Sequence, residues 1–174
     1  MLPRLVEVLR AGGCREVVVV IRQEDKAILE ARPQPVGASY VVNPNPDAGR
    51  TGSIHHGLNA LPPAEERDAL LIHSCDIPLL SAEAVHQLIR GWATEPARDT
   101  LAARLVTPGG KGGHPLLLGV ERVRELQALG HDQPLRDLVH ADADRLLSLV
   151  RRGDPGPFLD VDTPEQLELL ESLL

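Results

Sequence analysis

The sequence predicts an α/β fold of the three-layer α/β/α type, a mostly parallel sheet between two layers of helices. Two observations point to it. Helix-period and strand-period segments alternate along the chain, the pattern of crossover units built around a parallel sheet. The run Val17-Val18-Val19-Val20-Ile21 is unbroken and β-branched, as expected of a strand buried on both faces. A length of 174 residues suits a single domain spanning 1–174.

The elements follow in order. Leu5, Val6, Val8 and Leu9 mark one face of a first helix, which ends where Gly12-Gly13 offers a left-handed cap. The valine run is the first strand. Residues 25–31 form a short helix that Pro33 and Pro35 close. Tyr40-Val41-Val42 is a second strand, and the prolines of Asn43-Pro44-Asn45-Pro46 force a loop that continues through Asp47-Ala48-Gly49. Ile54, Leu58 and Leu61 define the next helical face, stopped by Pro62-Pro63. Ala69-Leu70-Leu71-Ile72 is a third strand, and Ser81 caps a helix running to about Gly91 with Glu83 in its first turn. Strands at 100–106 and 115–119 flank the glycine-rich tract 108–113. Helices near 121–129 and 134–140 and a strand near 145–150 come next, and Thr163-Pro164-Glu165-Gln166 opens the last helix as a capping box.

Composition narrows the function. A formal charge of −7 and a pI near 5.5 argue against a general nucleic-acid binder. Aromatics make up 2%, Tyr40, Trp92 and Phe158, too few for a base-stacking platform. The two cysteines, Cys14 and Cys75, cannot supply a disulfide scaffold or a four-thiolate metal site. No apolar run reaches the roughly 18 residues of a membrane span, and no signal-peptide pattern follows Met1, so the expected compartment is the cytoplasm.

In open α/β sheets ligands bind at the carboxyl ends of strands. Asp76 follows a strand and precedes Ile77-Pro78, so it is either a ligand for a hard metal bridging to phosphates or a turn residue. Asp162 carries the same two readings, as a metal ligand or as an acid favouring the helix that follows. The two lie far apart in the chain, and only the fold can bring them together. The glycine-rich tract fails the phosphate-loop pattern, because Gly112 rather than Ser or Thr follows Lys111. His114 before Pro115 places an imidazole at the edge of that tract. His55-His56 and His73 with Cys75 lack the paired partners of a zinc site. Cys75 is either a nucleophile or a small core residue.

Several ordered stretches carry a resemblance. Asn43 through Leu58 (NPNPDAGRTGSIHHGL), Ile72 through Leu80 (IHSCDIPLL), Lys111 through Leu117 (KGGHPLL), His131 through Leu138 (HDQPLRDL, at Asp132 and Arg136 only) and Phe158 through Leu167 (FLDVDTPEQL) resemble the MobA-like nucleotidyltransferases, and among them the molybdenum-cofactor cytidylyltransferase group. The resemblance implies a Rossmann-like fold of the nucleotide-diphospho-sugar transferase type. It also implies transfer of a nucleoside monophosphate from an NTP, CTP favoured, to a phosphate-bearing acceptor such as molybdopterin, with Mg2+. In that frame Asp76 and Asp162 hold the metal. Asn43, Gly49, Ser53 and Asp76 lie at the nucleotide, and His114 and Arg136 face the acceptor.

The sequence departs from the family at its start. Family members open with a strand, a glycine-rich triphosphate-binding loop carrying an Arg and a Lys, and a helix; this sequence opens inside that helix. Ala11-Gly12-Gly13 follows a helix and precedes a strand, the reverse of the required order. The expectation is an N-terminally truncated domain, short by roughly 20–30 residues, with unpaired edges on both strands that would flank the missing one. Whether such a chain is an enzyme is therefore open. The alternative is a non-catalytic binding or regulatory module; a nucleotide-sugar glycosyltransferase using Asp160-Val161-Asp162 ranks last.

Overall fold

The structure, a computed structural model, describes residues 1–31, 35, 37–65, 68–94 and 100–171. Helix α1 (Leu2–Ala11) leads into strand β1 (Val17–Arg22), then α2 (Lys26–Glu30) and β2 (Ala38–Asn43). Next come α3 (Arg50–Asn59), β3 (Ala69–Ile72), α4 (Ala82–Thr94), β4 (Ala102–Val106) and β5 (Gly112–Gly119). The chain finishes with α5 (Val120–Ala128), α6 (Leu135–His140), β6 (Leu146–Val150) and α7 (Pro164–Glu171). Pro33, expected to close α2, lies outside the described residues.

The layers form because α1, α4, α5 and α6 each bury one apolar face. Leu5 of α1 and Ala84, Val85 and Leu88 of α4 bury against Ala103, Leu105, Leu117 and Phe158 on one side. Val123 and Leu126 of α5 and Val139 of α6 bury against Ala102 and Leu118 on the other. Each such leucine contributes about 1.5–3 kcal/mol when fully buried. Gly13, at φ +117°, supplies the left-handed step that ends α1. Ser81 Oγ accepts from the Ala84 amide at 3.2 Å, as the cap of α4 requires. At α7 the capping box is complete: Gln166 N donates to Thr163 Oγ1 at 3.3 Å, and Thr163 N donates back to Gln166 Oε1 at 3.1 Å.

The mixed α/β architecture holds, and the strands divide into two sheets. One is β1 paired parallel with β2; the other has the order β3-β5-β4-β6. β4 and β6 run parallel, while β5 is antiparallel to both neighbours. The antiparallel direction follows from the connection: only a tight turn joins β4 to β5, too short for a crossover. In that turn Thr107 N donates to Lys111 O at 2.9 Å, and Thr107 Oγ1 accepts from Lys111 N at 3.1 Å. The glycine-rich tract is thus only partly loop. Gly112 and Gly113 already belong to β5, where Phe158 and Arg104 occupy the space that their side chains would need.

β1 also differs from expectation. Val17, Val19 and Ile21 are buried against α1 and its neighbours, but Val18 and Val20 are only half-buried. The cause is the break in the sheet. Val17–Val20 of β1 and Ala69–Ile72 of β3 both line one cavity of about 1890 Å3. Among the described residues each of these strands pairs on one side only. Among the described residues no helix is long and apolar enough to cross a membrane.

Candidate active site

The carboxyl end of β2 sets the first part of the site. Asn43 ends the strand with 2% of its surface exposed. Its Oδ1 accepts from the Asn45 amide at 2.9 Å, which fixes the orientation of the side-chain amide. Nδ2 therefore faces Ser53 and donates to its Oγ, also at 2.9 Å. With its oxygen engaged as an acceptor, the Ser53 hydroxyl keeps its own proton for another partner. Gly49 caps α3 at φ +114° and ψ 167°, a conformation open to glycine. No side chain caps this helix, so its first amides remain available to an anion. Asn43, Gly49 and Ser53 line a pocket of about 380 Å3, and Gly49 and Ser53 also line the larger cavity.

The end of β3 supplies the second part. Asp76 Oδ1 is buried without a hydrogen-bond partner among the described residues, while Oδ2 stands 3.8 Å from Arg50 Nη2. That ion pair links the end of β3 to the start of α3. The Asp76 carbonyl accepts from the Val161 amide at 2.7 Å. The fold thereby brings the two distant acidic segments to one place. Asp162 itself is exposed, and its amide donates to Gln166 Oε1 at 2.7 Å.

The segment before Asp162 is fastened to α4 by a network that the sequence reading missed. Arg151 Nη2 donates to Asp154 Oδ2 at 2.8 Å, Ser81 Oγ donates to the same oxygen at 3.0 Å, and Gly156 N donates to Asp154 Oδ1 at 3.0 Å. Desolvation alone would raise the Asp154 pKa, but these donors hold it below the usual carboxylate range.

His114, on β5, sits with His73 at a ring-centroid separation of 6.1 Å and nearly perpendicular planes. His73 Nε2 pairs with the Ile77 carbonyl at 2.9 Å. In both rings Nδ1 is buried without a partner among the described residues. Burial pulls the His73 pKa down to about 4, aided by His114 and opposed by the Ile77 carbonyl and Asp76. Burial also lowers His114, against the Ile72 carbonyl and Asp76. Both imidazoles are therefore neutral near pH 7. Cys75 is not activated: desolvation of its thiol, then the Asp76 charge, raise its pKa.

Arg136 lies on α6 and lines the large cavity, with its side chain 79% exposed and its Nε 3.5 Å from Asp137. The loop before α6 is docked onto α3, where Thr51 Oγ1 donates to Gln133 O at 2.6 Å and His55 packs edge-on to His131 at 4.8 Å. Sequence reasoning passed over Arg50 and Arg104, and weighed His73 only beside Cys75. Arg50 could have been found from its place at the first turn of α3, directly after the Gly49 cap. Arg104 sits among the residues of β4 and carries no local signal, and His73, directly after β3, meets His114 through the pairing of β3 with β5.

Among the described residues no group of three or more His, Cys, Asp or Glu side chains forms a metal cluster. The available donors are hard carboxylate oxygens, and Asp76 Oδ1 is a buried acceptor with no hydrogen-bond donor among the described residues. One or two carboxylates plus substrate phosphates is the set that suits a small divalent ion.

A family model, the MobA-like NTP transferase domain, matches residues 1–146. Comparison with curated proteins gives no match. The fold is similar to that of Rv0371c from Mycobacterium tuberculosis H37Rv, with 21% identity and a TM-score of 0.76 over 98% of this chain and 82% of that one. A second structure of Rv0371c, at 20% identity and a TM-score of 0.72 over 99% of this chain and 86% of that one, is a complex with manganese. 4-Diphosphocytidyl-2C-methyl-D-erythritol synthase from Anaerococcus prevotii DSM 20548 shares 16% identity and a TM-score of 0.67, covering 99% of this chain and 84% of that one. At these identities the likeness establishes the fold.

Proposed function

Because the chain belongs to the MobA-like NTP transferase family, we propose that it serves transfer of a nucleoside monophosphate, from CTP, to a phosphate-bearing acceptor of the molybdopterin type. The observation that carries this reading is the Asp76 carboxylate: a buried oxygen without a partner at the carboxyl end of β3, tied through Arg50 to the start of α3.

In-line attack at phosphorus needs positioning and charge neutralisation more than covalent chemistry from the protein. Asn43 orients Ser53, whose hydroxyl proton and the first amides of α3 are donors for nucleotide oxygens. Asp76 and Asp162 would hold a divalent cation, Mg2+ or Mn2+. Such an ion supplies charge neutralisation on the triphosphate and its pyrophosphate leaving group. His114, neutral and with Nδ1 unpaired, faces the acceptor side together with Arg136, whose exposed guanidinium can reach a phosphate. β1 and β3 each leave one edge unpaired among the described residues, at the same cavity. A strand there would join the two sheets into one.

The test is pyrophosphate release from CTP with Mg2+ or Mn2+ and a molybdopterin-type acceptor, with Asp76→Ala as the control. Release that Asp76→Ala abolishes supports the proposal. The break between β1 and β3 favours a second reading, a non-catalytic module that binds nucleotide. Saturable CTP binding by calorimetry without any pyrophosphate release, with or without a chain extended upstream of Met1, would establish that reading instead.

A further inference from the structure

An arginine stands on the cavity-facing side of β4. Arg104 is half-buried, and its Nε is sealed from solvent without a hydrogen-bond partner. Among the described residues its guanidinium forms no ion pair or hydrogen bond. The other inward-facing arginines behave differently. Arg122, with 3% of its side chain exposed, pairs with Glu125 at 2.5 Å and Asp142 at 2.8 Å, and Arg151 pairs with Asp154. A guanidinium cannot shed its proton to escape a poorly solvated position. The sealed Nε–H is a desolvated donor without a partner, while the two Nη groups stay open to the cavity, where an anion can reach them.

The surroundings leave room for that anion. Arg104, Gly112 and His114 line the same large cavity. A Cβ at Gly112 would stand 2.9 Å from Arg104 Nη1, so the guanidinium lies over a residue that has no side chain. β4 and β5 pair at Arg104 and Leu116, two residues from His114. The fork of N–H donors thus shares the large cavity with His114 and Ser53 and is not among the residues lining the smaller pocket at Asn43.

We propose that Arg104 is an oxyanion-binding residue that selects the acceptor by its phosphate, using the paired N–H geometry that suits phosphate oxygens. The proposal rests on the nucleotidyltransferase reading for the identity of the acceptor, and the anion site itself does not.

The test is titration of inorganic phosphate into 15N-labelled protein, following the Arg104 Nε–H and Gly112 amide resonances. Both signals shift saturably in the parent protein. Arg104→Met weakens binding at least tenfold, Arg104→Lys retains part of it, and Gly112→Ala, which displaces the guanidinium, weakens it as well. A phosphate affinity unchanged in Arg104→Met, or an Arg104 Nε–H that does not move, overturns the proposal. A second titration with CTP and Mg2+ separates the two phosphate sources. CTP affinity equal in parent and Arg104→Met assigns the residue to the acceptor, and a parallel loss of CTP affinity overturns that assignment. If the parent binds phosphate at Arg104 but no CTP, the anion site stands and the nucleotidyltransferase reading falls.

Discussion

The backbone amide of Val161 donates to the carbonyl oxygen of Asp76 at 2.7 Å. This single bond joins the end of β3 to the segment that enters α7, and it brings together two acidic stretches separated by most of the C-terminal half of the chain. Asp76 and Asp162 are candidates for one cation because of it, with Asp162 held one residue further along by the Gln166 side chain.

Asp76→Asn keeps the shape and removes the charge. If Asp76 holds the cation, steady-state pyrophosphate release falls by a factor of about 100 or more, the scale on which loss of an electrostatic group acts. Circular dichroism and the melting temperature stay close to those of the parent. Equal turnover in the variant would remove Asp76 from the reaction. Chelation with EDTA abolishes release, and Mg2+ or Mn2+ restores it in the parent.

Ser53→Ala removes one donor from the proposed nucleotide pocket. A hydrogen bond of this kind contributes about 0.5–1.5 kcal/mol, so CTP binding weakens roughly 2- to 12-fold by calorimetry. Asn43→Ala acts differently. It leaves the Asn45 amide without its acceptor and lowers stability by about 1–3 kcal/mol in urea unfolding, besides weakening CTP.

His73 makes stability depend on pH. Its folded pKa is lowered from 6.5 to about 4, so between these values the unfolded chain is protonated and the folded chain is not. The unfolded state then binds more protons, and stability falls as pH drops from about 6.5 toward 4, by about 3 kcal/mol at most. His114 shifts in the same direction. His73→Gln should flatten the plot of unfolding free energy against pH in that window, and an unchanged slope would rule out His73 as its source.

Gln166→Ala breaks the capping box of α7 and releases the amides of Asp162 and Thr163. Loss of such a cap costs about 1 kcal/mol. The expected effect on turnover is larger than on the melting temperature, because the cap also sets where Asp162 stands. A raised metal requirement with little change in melting temperature is the outcome that checks this.

Local chemistry fixed much of this protein in advance. The β-branched run at 17–21, the Gly13 stop of α1, the Ser81 cap and the Thr163–Gln166 box are short-range features, and each formed where its residues dictate. The order of motifs also sufficed to name the family. What sequence could not supply was pairing across distance. The split into two sheets, the Asp76–Val161 bond, the His73–His114 pair and the unpaired Arg104 all depend on which strands and loops meet, and that is decided by packing of apolar faces rather than by neighbours along the chain. The separation of β1 from β3 shows it most clearly. Both strands were legible from their own residues, and the resemblance led to the expectation of two unpaired edges; only the tertiary structure identifies those edges as β1 and β3 at a shared cavity, because hydrogen bonding between strands is a long-range contact with no local signature.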